Sequence, residues 1–245
     1  MIHKIETIPL LLASSSFIAL AACGGQAPAS QPSRHDQAGA QSQVNAAATA
    51  TAQKNVAAAK CLGDGAELFE GVTETAASAT FAELDRKTAA ASAKANECVA
   101  YLTARQKTSL EDAITASERY LSERNRTDLA LNSVEAYRVL VSAKPRSAGD
   151  PPLSVSLLDY AGFRYQAGAA APVPRWGDMA RALDFAKSEW SGLARQVTDE
   201  KLATAFSDDL TSMQAAIDAK DAKAASSAVA SELDNVDQLE GFFAK

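Results

Sequence analysis

The sequence predicts an all-α fold, an antiparallel helical bundle, from three observations. Apolar residues recur at steps of three and four across most of residues 56–245, the period of one helix face. Trp176, Leu183, Trp190 and Val197 repeat every seven residues, with Met179, Ala186 and Leu193 three further on, which makes an a/d stripe. The chain is 47% hydrophobic but only 6% aromatic, with alanine supplying much of the apolar share, a mixture that favours helix over sheet.

The start of the chain is of another kind. Lys4 precedes an apolar run, Ile8–Leu12 and then Phe17–Ala22, interrupted by Ser14, Ser15 and Ser16 and ending in Leu20-Ala21-Ala22-Cys23. A charged start, a short apolar core and small residues before a cut site describe a signal peptide over residues 1–22. Glu6 weakens the positive charge of that start. The run from Ile8 to Ala22 is too short for a comfortable membrane-spanning helix. The four residues ending at Cys23 resemble the lipobox of bacterial lipoproteins. In that class a dedicated peptidase cuts before the cysteine, which carries a thioether diacylglyceryl group and usually a third acyl chain. The resemblance covers only the first 25 residues. It implies a membrane anchor through lipid on Cys23, with the chain facing the periplasm, because each buried CH2 contributes about 0.8 kcal/mol and two or more acyl chains hold stably. Gly24 stands where an aspartate would resemble the inner-membrane retention signal of enteric bacteria, so the outer membrane is the expected location.

Residues 23–55 hold the lipidated Cys23 and then a stretch of Ala, Gln, Ser, Pro and Gly with almost no large apolar residue. Such a composition cannot bury enough surface to offset ordering entropy and reads as a disordered, flexible tether, with helix from Ala46 onward in part. With Cys23 assigned to lipid, Cys61 and Cys98 remain as an even pair in an oxidising compartment. A structural disulfide between them is expected, closing a loop of about 37 residues and stabilising by about 4 kcal/mol in the chain-entropy model.

The folded domain is expected at residues 56–245, long enough for one real core. Leu110, Ile114, Ser117 and Leu121 share a face after a capping box at Thr108 and Glu111. Leu131, Val134, Tyr137, Arg138 and Val141 make the next face, starting near Thr127, with Pro145 beyond its end. Leu153, Leu157, Ala161 and Arg164 trace another after Pro151 and Pro152, and the heptad helix follows Pro174. Thr198 begins a helix lined by Leu202, Phe206, Leu210, Met213 and Ile217. Asp221 caps the last one, where Ala225, Val229, Val236, Leu239 and Phe243 point inward. The short connections at Thr198 and Lys220 make these three helices antiparallel.

The chemistry is bounded first by an exclusion. The two histidines are His3, in the signal, and His35, in the tether. The folded domain therefore has no Ser-His-Asp or Cys-His nucleophile pair and no histidine-ligated zinc or haem. Helical periplasmic proteins that resemble imelysins carry a His-x-x-Glu pair, which this domain lacks. No glycine loop of the phosphate-cradling kind is present. From Asp199 to Glu240 there are ten acids against three bases. Carboxylates three or four apart share a helix face and suit hard divalent cations, but a solvated acidic face is the simpler reading. The candidate metal ligands are Asp237, at the edge of the apolar stripe, and Asp159 and Asp184, each flanked by apolar residues. Arg164 or Arg181 could equally pair with any of them. Met179 and Met213 read as core, as do Trp176 and Trp190. Arg119, Arg124 and Arg126 form a basic cluster at a helix end that reads as a docking face for the acidic helices or a solvated turn rather than an anion site. Of 24 bases and 30 acids, residues 1–55 hold three and two, leaving the folded part at net −7. That charge argues against nucleic acid and anionic lipid as direct partners.

The sequence thus suggests a membrane-anchored envelope lipoprotein with a non-enzymatic helical interaction or scaffold domain, an envelope protein as its partner, and no cofactor. A periplasmic carrier of a small ligand or divalent metal is the alternative, and an enzyme of carboxylate or tyrosine chemistry the third.

Overall fold

The computed structural model describes residues 34–244, with side chains described from Ala47 onward. The expected signal peptide, Cys23 and the start of the tether lie outside the described residues. The chain divides into two units, Met1–Ala46 and Ala47–Lys245. Of the first, the structure describes helical backbone from Arg34; the second contains the core. Among the described residues there are eight α-helices and no strand: α1 (Arg34–Thr75), α2 (Phe81–Cys98), α3 (Ala104–Ser122), α4 (Arg126–Ala143), α5 (Leu153–Ala169), α6 (Trp176–Leu193), α7 (Glu200–Ala219) and α8 (Ala222–Phe243). The fold is an all-α helical bundle.

Helix α1 differs from expectation at its start. The tether was expected to be flexible, with helix only in part and from Ala46 onward, yet its backbone is helical from Arg34. Residues 47–57 are all exposed, and Ala58 is the first buried side chain. The composition that prevents burial does not prevent helix, because alanine and glutamine favour it and no proline stands between Pro32 and Pro145.

Three helix starts also move by a few residues. The capping box of α3 is Thr103 with Gln106, not Thr108 with Glu111: the Thr103 hydroxyl accepts from the Gln106 amide, and Gln106 Oε1 accepts from the Thr103 amide at 2.9 Å. The 3₁₀ turn Val99–Tyr101 that follows α2 leaves Thr103 extended and in cap geometry, so α3 extends back to it. Asn125 rather than Thr127 caps α4, its Oδ1 accepting from Asp128 N at 3.1 Å. Asp199 rather than Thr198 caps α7, accepting from Lys201 N and Leu202 N. Asp221 caps α8 as expected. Lys220, at φ 53°, turns the chain from α7 into α8 in a left-handed conformation.

The core has two parts that share α5. Helices α1–α4 enclose one, with Leu62, Phe69, Leu84, Leu110, Leu129 and Leu140 fully buried. Helices α6–α8 enclose the other, with Met179, Leu183, Leu193, Phe206 and Met213 at its centre. Tyr160, Phe163 and Ala167 of α5 face the first, while Val155, Leu158, Ala161 and Tyr165 face the second. The single face expected from Leu153, Leu157, Ala161 and Arg164 is therefore replaced: Leu153, Leu157 and Arg164 are only half-buried. A helix packed on both sides has no polar face from which its orientation could be read. Two close approaches depend on glycine. A Cβ at Gly162 would collide with Glu232 and Leu233 of α8, and one at Gly168 would lie 2.8 Å from Met179 Cγ of α6.

Cys61 of α1 and Cys98 at the end of α2 form a disulfide, with Cα atoms 5.7 Å apart. The heptad stripe of α6 lies in the second core, with Trp190 tilted against Phe206 of α7 at 4.5 Å between ring centroids and Trp176 half-buried at its start.

Candidate functional site

A cleft of about 660 Å³ opens where the end of α1, the α3–α4 turn and the end of α5 meet. Ala76, Ala130, Ala167 and Ala170 give it an apolar surface, and Arg124 and Gln166 are among the polar groups that line it. Val173, 79% exposed, follows the lining residue Pro172. Arg126 also lines the cleft, but its guanidinium is engaged below: Nη1 donates to the carbonyls of Ala76 and Ala79 at 2.6 and 2.7 Å, satisfying the carboxyl end of α1. Arg126 and Arg124 lie over the Phe81 ring, 4.3 and 5.2 Å from its centroid, and Arg119 lies over Tyr120 and pairs with Glu123. The basic cluster thus serves its own helix ends and rings rather than the acidic helices of the carboxyl half. An apolar floor with hydroxyl, carboxylate, amide and guanidinium groups around it suits binding by shape and orientation.

A belt of ion pairs joins α4, α5 and α6. Glu135 accepts from Tyr160 at 2.7 Å and pairs with Arg138 and Arg164. Asp178 pairs with Arg175 and Arg181, and Arg175 reaches Asp128 of α4. Burial would raise the Asp178 carboxyl, but the Arg175 and Arg181 guanidinium groups outweigh it and hold it below the usual carboxylate range. Arg164 and Arg181 therefore have Glu135 and Asp178 as partners, not Asp159, Asp184 or Asp237.

The three candidate carboxylates are not brought together. Asp184 and Asp237 are exposed, on α6 and α8. Asp159 is buried in α5 and accepts from the Tyr137 hydroxyl of α4 at 2.8 Å. Burial raises its carboxyl, as do the charges of Glu70, Glu240 and Asp237, against the lowering effect of the Tyr137 bond. Glu70 of α1 is itself pushed up to about 7, by burial first and then by Glu74, Glu240, Glu67 and Asp237. Among the described residues no three His, Cys, Asp or Glu side chains are placed to hold a metal ion.

The most unusual group is Glu232 of α8. It is fully buried, and neither carboxylate oxygen has a hydrogen-bond partner. Burial drives its carboxyl well up, and the nearby charges of Asp159 and Asp209 add to this. Asp209 of α7, also buried, accepts from Asn235 Nδ2 of α8 at 2.6 Å. A charged, unpaired carboxylate in this setting is very costly, so burial favours the neutral acid in the closed bundle. Glu232 is one of the ten acids between Asp199 and Glu240. The signal was present: Glu232 falls between Val229 and Val236 at helical spacing, inside the apolar stripe of its own helix. The cleft gave no such signal, because three distant segments line it.

The chain matches no protein-family profile, no curated protein sequence and no solved structure.

Proposed function

We propose that this chain is an envelope lipoprotein, held to a membrane by lipid on Cys23, whose helical bundle is a non-catalytic module that docks an envelope protein. The observation that carries the reading is the run ending in Leu20-Ala21-Ala22-Cys23 after a charged start. The absence of histidine from residues 36–245 supports a non-catalytic role, because it removes the commonest general acid–base group. In the described residues no helix is long and apolar enough to cross a membrane, so the proposed attachment rests on Cys23. Cys23→Ser should release the protein from membranes. A mutant that still sediments with membranes after a high-salt wash would end the lipid-anchor reading.

A second reading, a carrier of a small ligand, is favoured by the cleft beside Arg124 and Gln166. Its volume of about 660 Å³ lies within the range of about 300–1,000 Å³ common for ligand sites. Native mass spectrometry of the gently isolated, disulfide-intact protein separates the two. A docking module gives the mass of the processed polypeptide with its acyl chains, whereas a carrier retains further mass.

A further inference from the structure

The seam between α5 and α8 is closed on an acid that has no partner. Gly162 of α5 leaves the space that Glu232 occupies, and a single methyl there would collide with the Glu232 carboxyl and lie 2.6 Å from Leu233 Cδ2. The charges acting on Glu232 come from two neighbouring helices, Asp159 on α5 and Asp209 on α7, and both are acids. On α8 itself the nearby polar group is Asn235, whose amide is already bonded to Asp209. α4 reaches the group through the Tyr137 hydroxyl on Asp159, and α1 reaches it through Glu70, whose charge acts on Asp159. Helix α8 is joined to α7 by the turn Lys220–Asp221, where Lys220 is left-handed.

We propose that this seam is a proton-operated latch: α5 and α8 stay closed while Glu232 is protonated and part when it gives that proton to water. Parting admits water to the carboxylate and uncovers the inner face of α8, formed by Val229, Val236 and Leu239. The inference rests on the packing and the charges around Glu232 and holds whether or not the chain carries lipid.

The direction follows from linkage. A carboxyl that keeps its proton in the folded state, but loses it near the ordinary value when unfolded, leaves the folded state holding the extra proton between those two values. Stability is then greatest in mild acid and falls as pH rises, until the folded carboxyl also ionises. One such group makes the unfolding equilibrium constant rise about tenfold per pH unit. Glu70, Asp159 and Glu240 are shifted the same way, so the difference between wild type and a Glu232 variant reports Glu232 together with its coupling to Asp159 and Asp209.

The test is denaturant unfolding of the full chain, disulfide intact, from about pH 5 to about pH 9, for wild type and Glu232→Gln. The wild-type constant should climb more steeply than the variant's by about tenfold per unit over part of that range. Equal slopes overturn the latch. Should Glu232→Gln fail to fold, Glu232→Met, of similar length and without charge, takes its place. Hydrogen exchange of the wild type, corrected for intrinsic rates, gives an independent reading. Residues 222–243 should lose protection as pH rises while 104–122 keep theirs; protection of α8 that does not change with pH overturns the proposal.

Discussion

Helix α2 in the first core and helices α6 and α7 in the second bury different materials. In the first, α2 contributes Leu84 and Cys98, and otherwise buries only alanine, serine and threonine: Thr88, Ala91, Ser92 and Ala95. The Thr88 and Ser92 hydroxyls find no hydrogen-bond partner there. In the second, α6 and α7 bury Met179, Leu183, Trp190, Leu193, Phe206, Leu210, Met213 and Ile217. Apolar burial yields roughly 25 cal/mol per Å², so a helix with one large buried side chain gains little from packing. The disulfide holds α2 where its side chains hold it weakly. The second core has no disulfide and is flanked by Glu232, buried without a hydrogen-bond partner. A thin seam was closed covalently, and a rich seam could accommodate a titratable group.

The contrast can be broken most severely in the rich core. Phe206→Ala removes a fully buried ring that packs on Trp190 and should cost about 3–5 kcal/mol in denaturant unfolding. A loss below about 1 kcal/mol would mean that this core is not the stiffer of the two.

Reduction of Cys61–Cys98 should lower stability by about 4 kcal/mol, the loop-closure entropy of the unfolded chain, while the far-ultraviolet helical signal survives below the new melting temperature. Hydrogen exchange should quicken first along 81–98. Equal loosening of 176–193 would show that the two cores unfold as one. Thiol labelling of the unfolded, unreduced protein should find neither cysteine reactive.

Gly162→Ala should cost about 1–3 kcal/mol, since the added methyl meets Glu232 and Leu233 and the α5–α8 spacing must give. A neutral result would show slack in that seam and would sharpen the comparison against a tightly packed second core.

The smallest effect is expected at Asp237. Calcium, magnesium or manganese should leave the melting temperature of wild type and Asp237→Asn unchanged, because that side chain is exposed on α8. A ligand at a hundredfold excess over its dissociation constant would add about 2.7 kcal/mol. That corresponds to a rise of roughly 5–10 °C for a domain of this size. Such a rise in wild type, absent from the variant, would favour the carrier reading.

Local regularity made most helices legible. The stripe from Trp176 to Leu193, the stripe from Leu202 to Ile217 and the cap at Asp221 follow from neighbours within one or two turns, where spacing alone decides which side is apolar, although Val197 falls beyond the end of α6. The cysteine pairing was legible by elimination once Cys23 was set aside. What the sequence could not decide was anything requiring two faces at once. Helix α5 is buried on both sides, so its spacing has no polar gap to reveal its orientation. Arg164 and Arg181 could have met several acids, and only the crossing of α4, α5 and α6 chose Glu135 and Asp178. Glu232 was written inside an apolar stripe, but its meaning depended on a glycine seventy residues earlier that lets α5 approach. Periodicity is a property of one helix, whereas burial, partner choice and protonation belong to the contact between helices. The tertiary structure alone supplies that contact.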